Sequence, residues 1–260
     1  MSDVAIILAA GLGSRLGEYT KNRPKALLPL DSSVTIFDLQ VESLLSQSVV
    51  GSEENIFVAA GWRADVLREH INRKGYRVEL LENPHYSDRN NSYSLYYVLS
   101  QISEVVGSVD SVFLVNGDFV GWFAHYVSCD RCPMDFCVVI DNAKKLGDEE
   151  MKVTVDSRGQ VADFSKRIDP SVAVGEYIGI AKFPFRSVWN TDLWKSFEQS
   201  VGFSGWYEDF FNQGISSGTF EVFPVYVGGL PWVEVDFPDD YARARRIYQE
   251  YGSILSGTRL

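Results

Sequence analysis

The apolar run Val4-Ala5-Ile6-Ile7-Leu8-Ala9-Ala10 stops abruptly at Gly11-Leu12-Gly13. A run of that length ending in glycine predicts a buried strand that opens into a tight loop. Such a loop leaves backbone N–H groups at the mouth of a sheet, where they can hold an anion. Gly11 and Gly13 have no side chain to keep a phosphate off those donors. Arg15, Lys21, Arg23 and Lys25 follow, against the single acid Glu18. In a chain of formal net charge -11, a local cationic cluster points to a polyanionic small ligand such as a nucleoside triphosphate.

The glycines alone also fit a plain strand-to-loop turn with solvated bases. A dinucleotide fingerprint would need a third glycine where Leu16 stands, and no Gly-Lys-Ser/Thr ending marks a P-loop. The longer pattern shifts the balance. Leu8-Ala9-Ala10-Gly11-x-Gly13-x-Arg15, followed by Arg23-Pro24-Lys25-x-Leu27-x-Pro29, resembles the signature of the nucleotidyltransferase family that makes nucleotide-activated sugars and alcohols. Pro24 pushes Arg23 towards an extended conformation and fixes the approach to Lys25. The resemblance implies that Gly11, Gly13 and Arg15 hold the triphosphate, with Leu8, Ala10 and Gly117 at the same nucleotide site. It further implies that Lys25 contacts the reacting phosphates.

Bulk properties narrow the alternatives. A length of 260 residues fits one large α/β domain or two small ones. No stretch approaches the roughly 20 apolar residues of a membrane helix. Met1-Ser2-Asp3 lacks a basic n-region, so no signal peptide and a cytoplasmic location are expected. The acidic balance argues against nucleic acid as a partner. Cys129, Cys132 and Cys137 are too few, and odd in number, for a disulfide framework. No second Cys or His pair completes a zinc site with Cys129 and Cys132, so buried free thiols are expected.

Along the chain, strand and helix patterns alternate. Helices are predicted over 35–45 and 64–72, and strands over 56–62 and 76–81. This predicts an α/β fold: a Rossmann-like, mostly parallel mixed sheet flanked by helices, with ligands at the carboxyl ends of the strands. Asn90-Asn91-Ser92-Tyr93-Ser94-Leu95 fits a polar loop with a helix cap. It also resembles the segment of bacterial phosphocholine and 2-aminoethylphosphonate cytidylyltransferases, which implies base recognition by Asn91, Ser92 and Ser94.

Ser111–Val115 predicts a strand that ends in Asn116-Gly117-Asp118. Asp118 is either a turn former or a Mg²⁺ ligand, and neutralising a triphosphate favours the metal. A strand at 136–141 and a hairpin turning at 156–159 introduce a small β-rich insertion near 141–190 in a single domain over 1–260. Family likeness selects Lys152 over Lys166 as a catalytic lysine near the acceptor phosphate. It also puts Glu176 and Tyr177, on the strand 175–183, in the acceptor pocket. Gly179 within that strand predicts a close approach by ligand or backbone.

Trp206, Tyr207, Glu208 and Asp209 combine aromatic rings with carboxylates, a composition that holds an ammonium group. With 13% aromatic residues such clusters also arise as plain core, so both readings stand. A strand over 231–236 puts Glu234 and Asp236 on one face. Two carboxylates there repel unless a cation lies between them, which marks Glu234 and Asp236 as metal ligands beside Asp118. Pro238 starts the last predicted helix.

The expected activity is Mg²⁺-assisted transfer of a cytidylyl group from CTP to a small phosphorylated or phosphonylated alcohol or amine. A homodimer is left open as the assembly. The alternatives are a sugar-1-phosphate nucleotidylyltransferase, a molybdopterin cytidylyltransferase and a non-catalytic nucleotide-binding subunit. The joint presence of Lys25, Asp118 and Asp236 argues against the last.

Overall fold

β1 (Ser2–Ala9) lies in the middle of the sheet because nearly every side chain from Val4 to Ala10 is apolar and buried. A strand covered on both faces needs parallel neighbours joined by crossover helices. The computed structural model describes residues 2–105, 109–121 and 136–255. Over these residues β1 pairs in parallel with β2 (Ile56–Ala60) on one side and with β4 (Val109–Asn116) on the other. β3 (Glu79–Glu82) extends the sheet beyond β2. The chain thus builds β1, β2 and β3 outward, then returns across β1 to lay down β4. That reversal opens a crevice at the carboxyl ends of β1 and β4, the place where open α/β sheets bind ligands.

The sheet is mixed, as expected. β9 (Gly175–Pro184) runs antiparallel between β4 and β6 (Phe136–Asp141). β10 (Val222–Tyr226) closes the far edge, in parallel with β6. The sequence reading passes over β10, whose Pro224 is tolerated because the strand is an edge. β7 (Lys152–Val155) and β8 (Val161–Ser165) form the expected hairpin, and β7 also pairs with β9.

Two expected strands are shorter than predicted. β3 begins at Glu79 because Arg77 N–H donates to Glu53 Oε2 rather than to a ladder. The strand expected at 231–236 is only β11 (Val233–Glu234), because its antiparallel partner β5 (Phe119–Val120) is two residues long.

Helices cover both faces. α1 (Ile36–Ser46) begins in a capping box formed by Thr35 and Asp38 and packs with α2 (Ala64–Lys74) on one face. α3 (Asn91–Val105), the short α4 (Phe185–Val188), α5 (Thr191–Ser200) and α6 (Tyr207–Ser216) cover the other. α7 (Pro238–Leu255) closes a third apolar cluster. There Leu16, Leu28 and Leu30 from the cationic segment pack with Val120, Val233, Val235 and Tyr241. This cluster holds the glycine-loop segment against β5, β11 and α7.

Cys137 is disulfide-bonded, against the expectation of free thiols, whereas Cys129 and Cys132 lie outside the described residues. Among the described residues no helix is long and apolar enough to cross a membrane.

Trp194 of α5 stacks on Phe210 of α6 at 3.5 Å between ring centroids, and both are buried. Phe210→Ala is expected to cost about 3–5 kcal/mol, because the surrounding rings cannot collapse into the space left. Urea unfolding of the variant and the parent chain measures this.

Candidate active site

Beyond β1 the chain makes the glycine bend. Gly13 is left-handed at φ 61°, and a side chain there would press on Thr20. Gly11 has open space around its Cα, so its lack of a side chain keeps the crevice clear rather than serving internal packing. Beyond β4, Gly117 N–H donates to Leu8 O at 2.9 Å. A Cβ at Gly117 would lie 2.8 Å from that oxygen, so glycine is needed for the two strand ends to meet.

Asp118 follows at once, and Val235 N–H donates to its carbonyl at 3.0 Å. This bond and the β5–β11 pairing bring Glu234 and Asp236 across to Asp118, from residues more than a hundred positions later. Asp236 sits at the mouth of α7, where Asp240 Oδ2 accepts from Asp236 N–H and Phe237 N–H.

Lys25 reaches into the same place. Its Nζ donates to Asp118 Oδ2 at 2.7 Å and to Asp236 Oδ1 at 2.7 Å. Arg15 Nη1 donates to Asp236 Oδ2 at 3.2 Å. Burial by itself would lower the Lys25 pKa, but the Asp118 and Asp236 carboxylates outweigh it and raise it. Burial would raise Asp236, and the Lys25 ammonium instead holds it below the usual carboxylate range. Glu234, buried and next to the charges of Asp118 and Asp236, is held well above that range.

Asp118 Oδ1 is buried and accepts no hydrogen bond. Among the described residues no three acidic, His or Cys side chains form a ready-made metal cage. A pair of aspartates with an unused buried oxygen nonetheless fits Mg²⁺, which is commonly held by one or two carboxylates plus substrate phosphates.

Asn116, which the sequence reading quotes but assigns no role, is the polar hub. Its Nδ2 donates to Glu234 Oε1 at 3.2 Å, and Tyr207 Oη donates to its Oδ1 at 3.1 Å. Gln40 of α1 fastens the same turn by donating to Asn116 O and Phe119 O. The close approach expected at Gly179 is made by Asn116. A Cβ at Gly179, where φ is +77°, would lie 2.4 Å from Asn116 Nδ2. The protein neighbour is therefore a side chain rather than backbone, and Gly179 also lines the larger of the two clefts at this centre.

Two adjoining clefts share this centre. The first, about 280 Å³, is lined by Leu8, Ala10, Gly11, Gly13, Asn91, Ser94, Gly117 and Asp118 among others. The second, about 510 Å³, is lined by Arg15, Glu176, Tyr177, Trp206, Glu208, Glu234 and Asp236, with Lys166, Glu149 and Met151. Lys25, Asn91 and Glu234 border both.

Four sequence candidates face elsewhere. Ser92 is buried and donates to Gly205 O, tying α3 to the turn before α6. Lys152 is also buried, and its Nζ donates to Gly147 O at 2.7 Å and Glu150 O at 3.3 Å, bracing that loop. Lys166 takes the cleft position instead, with Nζ 5.6 Å from the Trp206 ring. Asp209 turns back to accept from Trp206 N–H and caps its own helix. Tyr207 is fully buried, and its role is to hold Asn116. Of the basic cluster, Lys21 pairs with Glu18 and Arg23 lines a separate cleft, so Arg15 and Lys25 alone converge.

With the geometry in place, comparison with known proteins gives a consistent result. Residues 5–128 match the MobA-like NTP transferase domain. The chain spans no more than about half the length of the first curated relatives it matches, 40% of one and 50% of another. It is 38% identical over 101 residues to the choline-phosphate cytidylyltransferase of Streptococcus pneumoniae, an alignment covering 38% of this chain and 40% of that protein. Over 195 residues it is 25% identical to the CTP:phosphoglutamine cytidylyltransferase of Campylobacter jejuni, covering 70% and 73%. The solved CTP:phosphocholine cytidylyltransferase of Streptococcus pneumoniae shares the fold at a TM-score of 0.68, with 22% identity over 95% of this chain and 99% of that one.

Glu208 carries a measurable pH signature. Burial, with a smaller contribution from the Asp209 charge, pushes its carboxyl up to about 7, and its Oε2 accepts no hydrogen bond. The unfolded chain ionises Glu208 near 4.5 while the folded one stays protonated. Stability from this group is therefore full below pH 4.5 and lost as pH rises through 7. Glu208→Gln is expected to remove a loss on the order of 3 kcal/mol between pH 4.5 and 8, read from urea unfolding at both ends of that range.

Proposed function

We propose that this chain transfers the cytidylyl group of CTP to a small phosphorylated or phosphonylated alcohol or amine, releasing pyrophosphate. The observation that carries the reading is the meeting of Lys25, Asp118 and Asp236 between a glycine-lined cleft and a carboxylate- and aromatic-lined one. The first cleft suits a nucleotide: its glycines expose backbone, and Asn91 and Ser94 offer donors and acceptors to a base edge. The second suits the acceptor. Glu208 and Trp206 there match an ammonium head group, and Lys166 matches its phosphate or phosphonate. The named activities of the similar proteins support the base and the type of acceptor.

An acceptor oxygen attacks the α-phosphorus in line, and the bond to the oxygen shared with the β-phosphate breaks as pyrophosphate leaves. The attacking oxygen is already anionic near neutral pH, so no side chain has to take a proton. What the protein supplies is placement and charge. Arg15 and Lys25 hold the triphosphate oxygens and offset the charge that builds on the leaving group. Asp118 and Asp236, with Glu234 beside them, are the residues that would hold Mg²⁺. Bound there, the ion would neutralise phosphate charge as a Lewis acid.

Pyrophosphate release from CTP with phosphocholine, 2-aminoethylphosphonate and a sugar 1-phosphate tests the reading. Turnover is expected with the phosphocholine or phosphonate arm, and no release from CTP with any acceptor would refute it. Lys25→Ala and Asp118→Ala are each expected to lower turnover by roughly 10²–10³ with the fold retained. Near-parental turnover in either variant would remove the mechanism.

A further inference from the structure

Lys25 borders the glycine-lined cleft, yet its ammonium is hydrogen-bonded to two carboxylates of the same chain. Its Nζ lies 2.7 Å from each, and they are the same two groups that would hold a divalent cation. The pair is drawn close by the β5–β11 ladder and cannot stand bare, because two part-buried like charges repel strongly. The ammonium takes one oxygen of each carboxylate, oxygens for which a divalent cation would compete. The unused oxygen Asp118 Oδ1 is left to whichever cation replaces the ammonium. A lysine head on a flexible four-carbon stem is suited to such an exchange, whereas a planar guanidinium is not.

Resting on the cytidylyltransferase reading, we infer that Lys25 is an internal counter-ion that keeps the Asp118–Asp236 pair closed to divalent metal until nucleotide phosphates draw its ammonium away. The lysine alternates between two anionic partners, the aspartate pair and the triphosphate. The pair is never uncompensated, and metal is admitted together with nucleotide. No bond is made or broken in the exchange.

Mn²⁺ is the probe, and water-proton relaxation of the full chain without acceptor is the readout. Without nucleotide, Lys25→Met is expected to bind Mn²⁺ at least about ten-fold more tightly than the parent chain. Lys25→Gln, which still offers N–H donors to the carboxylates, is expected to gain in the same direction and serves if the methionine variant does not fold. A non-hydrolysable CTP analogue is expected to tighten Mn²⁺ binding by the parent chain and close the gap. Adding Asp118→Asn to Lys25→Met is expected to abolish the gain. Equal affinities of parent and variants without nucleotide, or a gain that survives Asp118→Asn, would overturn the inference. A chain that shows the gain yet releases no pyrophosphate from CTP would keep the counter-ion role and lose the cytidylyltransferase reading, so the two fail separately.

Discussion

Two steps of antiparallel ladder, Val233 opposite Val120 and Glu234 opposite Phe119, bind the two ends of the site together. Asp118 comes from the middle of the chain, Asp236 from near the last helix, and Lys25 from the segment after the first strand. No local rule brings them together. The short ladder and the Val235 N–H bond to Asp118 O do so, backed by the apolar cluster around Leu28, Val120 and Val235. Lys25 then offsets the repulsion that this proximity creates. Stability and charge placement are here one problem, since a pair of part-buried carboxylates is costly unless it is compensated.

Much of this was legible in the sequence because it follows from short-range patterns. The apolar run to Ala10 and the glycines after it reveal a central strand and its loop, and the family pattern around Lys25 and Asp118 carries that loop to a chemistry. Strand alternation puts Glu234 and Asp236 on one face. They do meet, but only Glu234 lies in a strand, and the Asp240 cap at the mouth of α7 sets the position of Asp236. Strand alternation thus accounts for the placement of Glu234 and the helix cap for that of Asp236.

What the sequence could not show depends on side-chain direction in three dimensions. Lys152 starts β7 and Lys166 follows directly after its partner β8, and no periodicity says which ammonium faces the cleft and which braces a loop. Ser92 and Asp209 have residue types that suit a ligand and also suit a backbone tie, and the backbone tie is what they make. Asn116 stayed unassigned because its importance lies in bonds to Glu234 and Tyr207, each about a hundred residues away. Gly179 was the available hint, since a glycine inside a buried strand signals something pressed against it.

The long helix α7 begins at the acid it helps to position, and its buried face packs on the segment that carries Arg15 and Lys25. Tyr241 Oη donates to Pro29 O at 2.6 Å, a bond between that helix and the stretch just beyond Lys25. The first strand's loop and the last helix therefore form one mechanical unit. A tilt of the helix would shift the lysine and its aspartate partner in concert, so their spacing is insulated from flexing elsewhere in the sheet.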